Sequence, residues 1–251
     1  MHINITHMNS IPSLLDKNHP VTNTPVVPNS SKKRDFSIIL IALIAIVLIA
    51  SGSYYYFYPR MILGKAITAT SKMRALHFEE VVSETKTNGE ISKASGDIIF
   101  PNSIRVNPIL GIKDSETVVV DNKVYVRWID KWSLIEGKKP EEFNFYNPQK
   151  FLDLLDSVSR VKSLETEKIG EQKMRHLGYA IDEEEARKVF SQTENNSYKG
   201  EAWIGESDGL IHRIAIIFTP ERKDIAPTKY QMDFSDFNGD IHIEEPVIER
   251  K

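Results

Sequence analysis

The chain has 251 residues, a formal net charge of −3 at pH 7 and 41% hydrophobic residues. It contains no cysteine, which excludes disulfide bonds, thiolate metal sites and cysteine nucleophiles. The small net charge and the lack of a basic stripe also argue against nucleic-acid binding.

Residues 1–35 are predicted to form a disordered cytoplasmic tail. Four prolines interrupt this segment, and no apolar period is sustained in it: Pro12, Pro20, Pro25 and Pro28. A solvated leader is the simplest interpretation, and a short binding motif within it is the alternative.

Residues 36–58 are predicted to form one transmembrane helix. The segment from Phe36 to Tyr58 carries no charge, and about 23 residues would rise roughly 34 Å as a helix, enough to cross a bilayer. Its tyrosine-rich end suits the lipid headgroup level. Basic residues precede it at 32–34, so we expect the N-terminus in the cytoplasm and residues 59–251 outside the cytoplasm. A cleaved signal peptide is the alternative, because Ala50-Ser51-Gly52 offers small residues for cleavage.

An amphipathic helix is predicted after Pro59. Its apolar positions recur at steps of three and four residues: Ile62, Ala66, Ala69, Met73 and Leu76. The helix either continues from the span or follows it after a kink at the proline.

The pattern then changes to the period of two that is typical of strands. Strands are predicted at Phe78–Thr87, Ser92–Phe100, Ser103–Asn107, Thr117–Val120 and Lys123–Trp128. Asp121-Asn122 is expected to form a tight hairpin turn between the last two. In the strand Lys123–Trp128, Val124, Val126 and Trp128 would face the apolar side of the sheet. Lys123, Tyr125 and Arg127 would face the solvent-exposed, or wet, side.

The second half of the chain mixes helices and strands. A helix is expected to open at Asn147-Pro148, and Asp182 is expected to cap another, with Glu185 completing a capping-box pattern. Further strands are predicted at Val161–Ile169, Met174–Ile181, Tyr198–Gly205, Leu210–Phe218, Thr228–Phe234 and Ile241–Ile243. About ten strands and three helices in this order favour an α+β fold, in which helices cover one face of an antiparallel sheet.

The order of these segments resembles the LolA-like fold, and more closely the LppX/LprG type of envelope lipoproteins. The matching segments are Ala66–Phe78, Val124-Tyr125-Val126-Arg127 leading to Trp132-Ser133, Asn147-Pro148 with Leu152 and Leu155, Gly170 with Tyr179-Ala180-Ile181-Asp182, Ala202-Trp203-Ile204-Gly205, Gly209-Leu210-Ile211-His212-Arg213 and Phe234-Ser235-Asp236-Phe237-Asn238-Gly239. The resemblance covers about residues 62–246, and it rests on the order of the segments. It departs from the family in one respect, because this chain has no cysteine for lipidation.

The resemblance implies a strongly curved antiparallel sheet, an incomplete barrel, with helices across its concave face and an apolar space that holds acyl chains or a lipid anchor. Eleven residues are candidates to line that space: Val124, Val126, Trp128, Leu152, Leu155, Ile214, Ile216, Phe218, Tyr230, Met232 and Phe234. Strand parity leaves open whether these side chains line a cavity or fill a core.

The sequence favours a binding protein over an enzyme. The seven histidines are scattered, and neither a nucleophile motif nor a phosphate loop is present, so we expect no cofactor and no metal. The first hypothesis is a single-pass membrane protein of the bacterial envelope that binds lipid or a lipidated protein. The alternative is an envelope sensor or protein-docking module with the same fold.

Overall fold

The computed structural model describes residues 31–87, 89–110, 115–137, 148–190 and 196–248. Residues 1–30 of the tail predicted at 1–35 and the predicted cap Asn147 lie outside these described residues, whereas residues 31–35 belong to the first helix. By the packing of its backbone the chain divides into two compact units, residues 1–48 and 49–251.

The first described element is α1, a helix of 40 residues from Ser31 to Thr70 that runs through Pro59. It contains a segment, Ser37–Thr70, that is long and apolar enough to cross a membrane, with a mean hydropathy of 2.4 in its most apolar window. The large apolar side chains from Ile38 to Ile49 are 50% to 69% exposed, so none of them belongs to a protein core.

The amphipathic helix predicted after Pro59 is therefore the second half of α1. It ends earlier than predicted: Leu76 is fully buried in a strand and does not lie on the helix. The reason is a competing partner, because the Arg74 carbonyl accepts a hydrogen bond from the Phe100 amide at 2.9 Å and the chain enters the sheet there.

In the described ranges, twelve strands and two short helices follow α1. They are β1 (Ala75–Glu84), β2 (Glu90–Ile99), β3 (Ser103–Leu110), β4 (Ser115–Val120), β5 (Lys123–Trp128), β6 (Lys131–Leu134), α2 (Pro148–Asp156), β7 (Ser159–Ser163), β8 (Glu167–Ile169), β9 (Gln172–Ile181), α3 (Glu183–Phe190), β10 (Asn196–Gly205), β11 (Ile211–Pro220) and β12 (Thr228–Ser235). The α+β class predicted from the sequence is confirmed, with twelve strands where about ten were expected.

The strands form one unclosed antiparallel sheet in the order β6-β5-β4-β3-β2-β1-β12-β11-β10-β9-β7, and β8 pairs with β9. The first and last strands of the domain therefore pair at the centre of the sheet, where Phe78 lies opposite Phe234. The edge strands β6 and β7 come from the middle of the sequence.

Local signals in the sequence account for several of the turns. Asp121 and Asn122 have φ of 50° and 59°, as a two-residue hairpin turn requires, so that prediction is confirmed. The Asp182 carboxylate accepts a hydrogen bond from the Glu184 amide at 2.9 Å and caps α3 as predicted. The Glu185 carboxylate accepts a hydrogen bond from Lys188 Nζ at 2.6 Å.

Two predictions about the surface of the sheet were wrong. Ile241–Ile243 forms no strand, and Tyr125, predicted on the wet face, is 1% exposed. Both have the same cause: the segment after β12 lies along the β4–β5 hairpin, where Ile243 packs with Tyr125 and the Tyr125 hydroxyl donates to Glu245.

Candidate functional site

The predicted lining residues lie mostly in one hydrophobic core. Eight of them are at most 6% exposed: Val124, Leu152, Leu155, Ile214, Ile216, Phe218, Met232 and Phe234. Val126 and Tyr230 are partly buried and pack against that core. Trp128 lies apart from the others, because it is 51% exposed at the end of β5, next to the edge strand.

Aromatic rings occupy the space between the two short helices and the sheet. The ring centroids of Phe151 and Tyr230 are 5.1 Å apart, and those of Phe190 and Phe218 are 4.6 Å apart. Side chains therefore fill this part of the interior. The role of the eleven residues in lining a cavity stays a prediction.

A buried carboxyl group lies beside these rings. Glu80 on β1 is 4% exposed, and its Oε2 atom has no hydrogen-bond partner among the described residues. Burial raises the pKa of Glu80 to about 7, although the neighbouring Tyr230 hydroxyl opposes the shift. Glu80 is thus held near the midpoint of its titration at neutral pH.

A groove runs beside the second half of α1, and we refer to it as the α1 groove. It has a volume of about 860 Å³ and is lined by Met61, Gly64, Lys65, Thr68, Ala69, Lys72, Met73, Asp208, Leu210, Phe237 and Asn238. This volume lies within the range of roughly 300–1,000 Å³ that is typical of ligand pockets.

Hydrogen bonds from α1 and from the chain just after it hold the two walls of the α1 groove together. The buried Thr70 hydroxyl accepts a hydrogen bond from the Ile211 amide at 3.0 Å. The Asn238 side chain accepts one from the Arg74 amide at 2.6 Å, and the Asn238 backbone amide donates to the Ala75 carbonyl at 2.7 Å. The groove is therefore bounded by fixed backbone at the end of α1.

The turn between β10 and β11 forms another part of the wall. Burial alone would raise the pKa of Asp208, but hydrogen bonds from the Leu210 amide, His212 and Gln172 outweigh it and keep this pKa below its ordinary value. Gly209 in the same turn has φ of +70°, a conformation that glycine adopts without strain. The turn places one fixed carboxylate at the rim of the groove.

The lining combines an apolar floor with two exposed cations. Met61, Met73 and Phe237 supply apolar surface, and Lys65 and Lys72 are exposed without an ion-pair partner among the described residues. Such a site suits a molecule with an apolar chain and an anionic head. Sequence reasoning missed the α1 groove, because its lining joins α1 to segments that are distant in the sequence, at Asp208 and Phe237.

Comparison with known proteins addresses the fold. No family model and no curated protein matches the sequence. Among solved structures, lipoprotein LppX from Mycobacterium tuberculosis matches with a TM-score of 0.56 and 14% identity, over 74% of this chain and 99% of LppX. LprF from Mycobacterium bovis matches with a TM-score of 0.53 and 13% identity, over 76% of this chain and 97% of LprF.

This chain has the LolA-like fold of the LppX/LprG type. At 13% and 14% identity the likeness shows the fold alone. A LolA-superfamily protein from Nitrosomonas europaea also matches, over 73% of this chain, but its TM-score of 0.30 is too low to support an argument. The resemblance inferred from the order of the sequence segments is thus confirmed.

Within the ranges that the structure describes, no group of three or more His, Asp and Glu side chains is placed to hold a metal ion. The α1 groove is the candidate site because of its volume and its mixed apolar and charged lining.

Proposed function

We propose that this chain is a single-pass membrane protein whose LolA-like domain binds an anionic amphiphile, such as a lipid or a lipidated protein, in the α1 groove. Residues 36–58 would cross the membrane, with residues 1–35 in the cytoplasm and residues 59–251 in the bacterial envelope. The N-terminal helix replaces the lipidated cysteine that this chain lacks.

One observation carries the proposal: the groove is built on the helix that holds the apolar segment. Met61, the first residue of the groove, lies three positions after Tyr58, a rise of about 4.5 Å along a helix. An acyl chain that leaves the outer leaflet beside α1 would meet apolar groove surface at once. Burial of the chain contributes about 0.8 kcal/mol for each methylene removed from water.

Gly64 provides a direct test, because it lies in the groove and has no described atom within 4 Å of an added Cβ. We expect Gly64→Trp to fill the groove and to lower binding of a fluorescent fatty acid by at least about ten-fold, a loss of about 1.4 kcal/mol. Binding would be measured by titration of the delipidated, detergent-solubilised full chain.

Gly64→Ala is the matched control. It should leave binding unchanged and raise stability by about 0.5–1 kcal/mol, because alanine favours a helix interior over glycine. If Gly64→Trp binds the fatty acid as tightly as the wild type does, the α1 groove is not the binding site. The same holds if Gly64→Ala loses as much affinity as Gly64→Trp. Native mass spectrometry of the chain purified without delipidation should also detect a copurifying lipid.

Lys65 and Lys72 of the α1 groove should favour ligands with a negatively charged head. The double substitution Lys65→Gln and Lys72→Gln is expected to weaken binding of a fatty acid several-fold, since each exposed ion pair contributes up to about 1 kcal/mol. Binding of the uncharged fatty alcohol of equal length should not change. An equal loss for both ligands would mean that the lysines act on the fold rather than on the head.

A second function is favoured by a different surface. Trp128, Ile129 and Leu134 are 51%, 71% and 38% exposed. Leu134 is the last residue of the edge strand β6, and Trp128 and Ile129 lie just before that strand. An unpaired strand edge with exposed apolar side chains suits the addition of a strand from a partner protein. The domain would then act as an envelope sensor or docking module.

A photocrosslinker at Lys131 should capture one stoichiometric partner. The double substitution Trp128→Ser and Ile129→Ser should abolish that capture while lipid binding persists.

A further inference from the structure

A second cavity lies where the apolar segment of α1 gives way to the folded domain, and we refer to it as the tyrosine pocket. It encloses about 730 Å³ and is lined by Tyr54, Tyr55, Tyr56, Tyr58, Pro59, Arg160, Val161, Lys162 and Ser163. None of these residues lines the α1 groove. The two sites are therefore separable by mutation.

The tyrosine wall is open to its surroundings. Tyr54, Tyr55 and Tyr56 are 59%, 80% and 68% exposed, and the Tyr54 ring stacks on Tyr58 with centroids 4.8 Å apart. Tyrosine has an apolar ring and a polar hydroxyl, a combination that is enriched where hydrocarbon meets lipid headgroups. This wall directly follows the segment proposed to cross the membrane.

The opposite wall is the edge strand β7, which is irregular. Its pairing with β9 shifts register between Ser159 and Lys162, and Arg160 has φ of +52°. A bulge of this kind breaks the alternation of side chains between the two faces of a sheet. Consecutive residues from Arg160 to Ser163 therefore border the same cavity.

The strand wall carries two positive charges. Arg160 and Lys162 are exposed and form no ion pair with any residue in the described ranges. Arg60 of α1 donates hydrogen bonds to the carbonyls of Asp156 and Val158, just before β7 begins. This contact holds the basic wall beside the tyrosines.

We propose that the tyrosine pocket binds the anionic headgroup of a phospholipid in the bilayer that α1 crosses. Arginine can bind a phosphate oxygen pair through two N–H groups, and lysine adds a point charge. The tyrosine rings would contact the glycerol and upper acyl region of the same lipid. This inference rests on the proposed membrane span, but it does not depend on the α1 groove.

The experiment compares lipids retained by the full chain. The protein is reconstituted into vesicles of equimolar phosphatidylcholine and phosphatidylglycerol, extracted in mild detergent and measured by native mass spectrometry. We expect the wild-type chain to retain an excess of phosphatidylglycerol. Arg160→Gln with Lys162→Gln should reduce that excess by about five-fold for each charge removed.

The matched control is Lys199→Gln with Lys229→Gln, which removes two strand-borne charges outside the tyrosine pocket and should leave the excess unchanged. The loss should be the same in the Gly64→Trp background, in which the α1 groove is filled. An unchanged excess in the Arg160 and Lys162 variant, or an equal loss in the Lys199 and Lys229 control, overturns the proposal. A wild-type chain that inserts but shows no excess overturns the pocket and leaves the span standing, whereas a chain that fails to insert overturns the span as well.

Discussion

Substituting alanine for Gly200 is expected to lower the free energy of unfolding by about 3 kcal/mol, because the added methyl group overpacks the core. Gly200 on β10 lies directly opposite Tyr179 on β9, and an added Cβ would lie 2.0 Å from Cε2 of the tyrosine ring. The ring is 4% exposed and belongs to the main core, so it cannot move aside without displacing its neighbours. Denaturation of the solubilised chain, followed by tryptophan fluorescence, measures the loss.

Two controls isolate the ring contact. Gly178→Ala on the neighbouring strand would meet only the flexible ends of Lys162 and Leu164, at 3.2 Å and 3.3 Å, and should cost less than about 1 kcal/mol. In a Tyr179→Leu background, Gly200→Ala should cost much less than in the wild type, with a coupling of about 1–3 kcal/mol. A full cost in that background would show that the ring is not the obstacle.

Stability should fall as pH rises from about 4.5 to about 7, because Glu80 is protonated in the folded state over that range and ionised in the unfolded state. The ordinary pKa of this carboxyl group is 4.5 and burial raises it to about 7 in the folded chain. At 1.36 kcal/mol for each pKa unit, the loss approaches about 3 kcal/mol and levels off above pH 7. Below pH 4.5 Glu80 is protonated in both the folded and the unfolded state, and its full contribution to stability is present.

Glu80→Gln separates this effect from other titrations, because glutamine resembles the protonated acid in shape and carries no charge. The difference in unfolding free energy between wild type and variant should move by about 3 kcal/mol, in favour of the variant, between pH 4.5 and pH 7. Denaturation midpoints measured at half-unit pH steps would show it. A difference that stays constant across this range would mean that Glu80 is ionised in the folded chain.

The fold could be predicted from the sequence to the extent that local patterns determine it. Alternation located most strands, and Asp121-Asn122 and Asp182 supplied a turn and a cap that the structure contains. The prediction failed where distant segments compete for the same backbone or face. Leu76 entered a strand because β2 and β12 pair with its neighbours, and Tyr125 was buried by residues about 120 positions away.

The candidate site was harder to predict for a related reason. The α1 groove joins one helix to a turn at Asp208 and a loop at Phe237, and no period in the sequence relates those segments. The eleven residues chosen from strand parity and from one helix stripe are mostly core residues, since such patterns give the face of an element but not what lies above that face. Glu80 was also missed, although its position between Phe78 and Val82 on one face of the strand was a usable signal.

The pairing of β1 with β12 at the centre of the sheet has a consequence for biogenesis. The strands on either side are joined mostly by short local connections, so two half-sheets can form early, whereas the pairing of Phe78 with Phe234 must close a loop of about 150 residues. For a domain that emerges from the membrane with β1 first, that closure must wait until Ser235 has emerged. Until then, β1 and β11 expose unpaired strand edges at which a chaperone can bind and aggregation can begin.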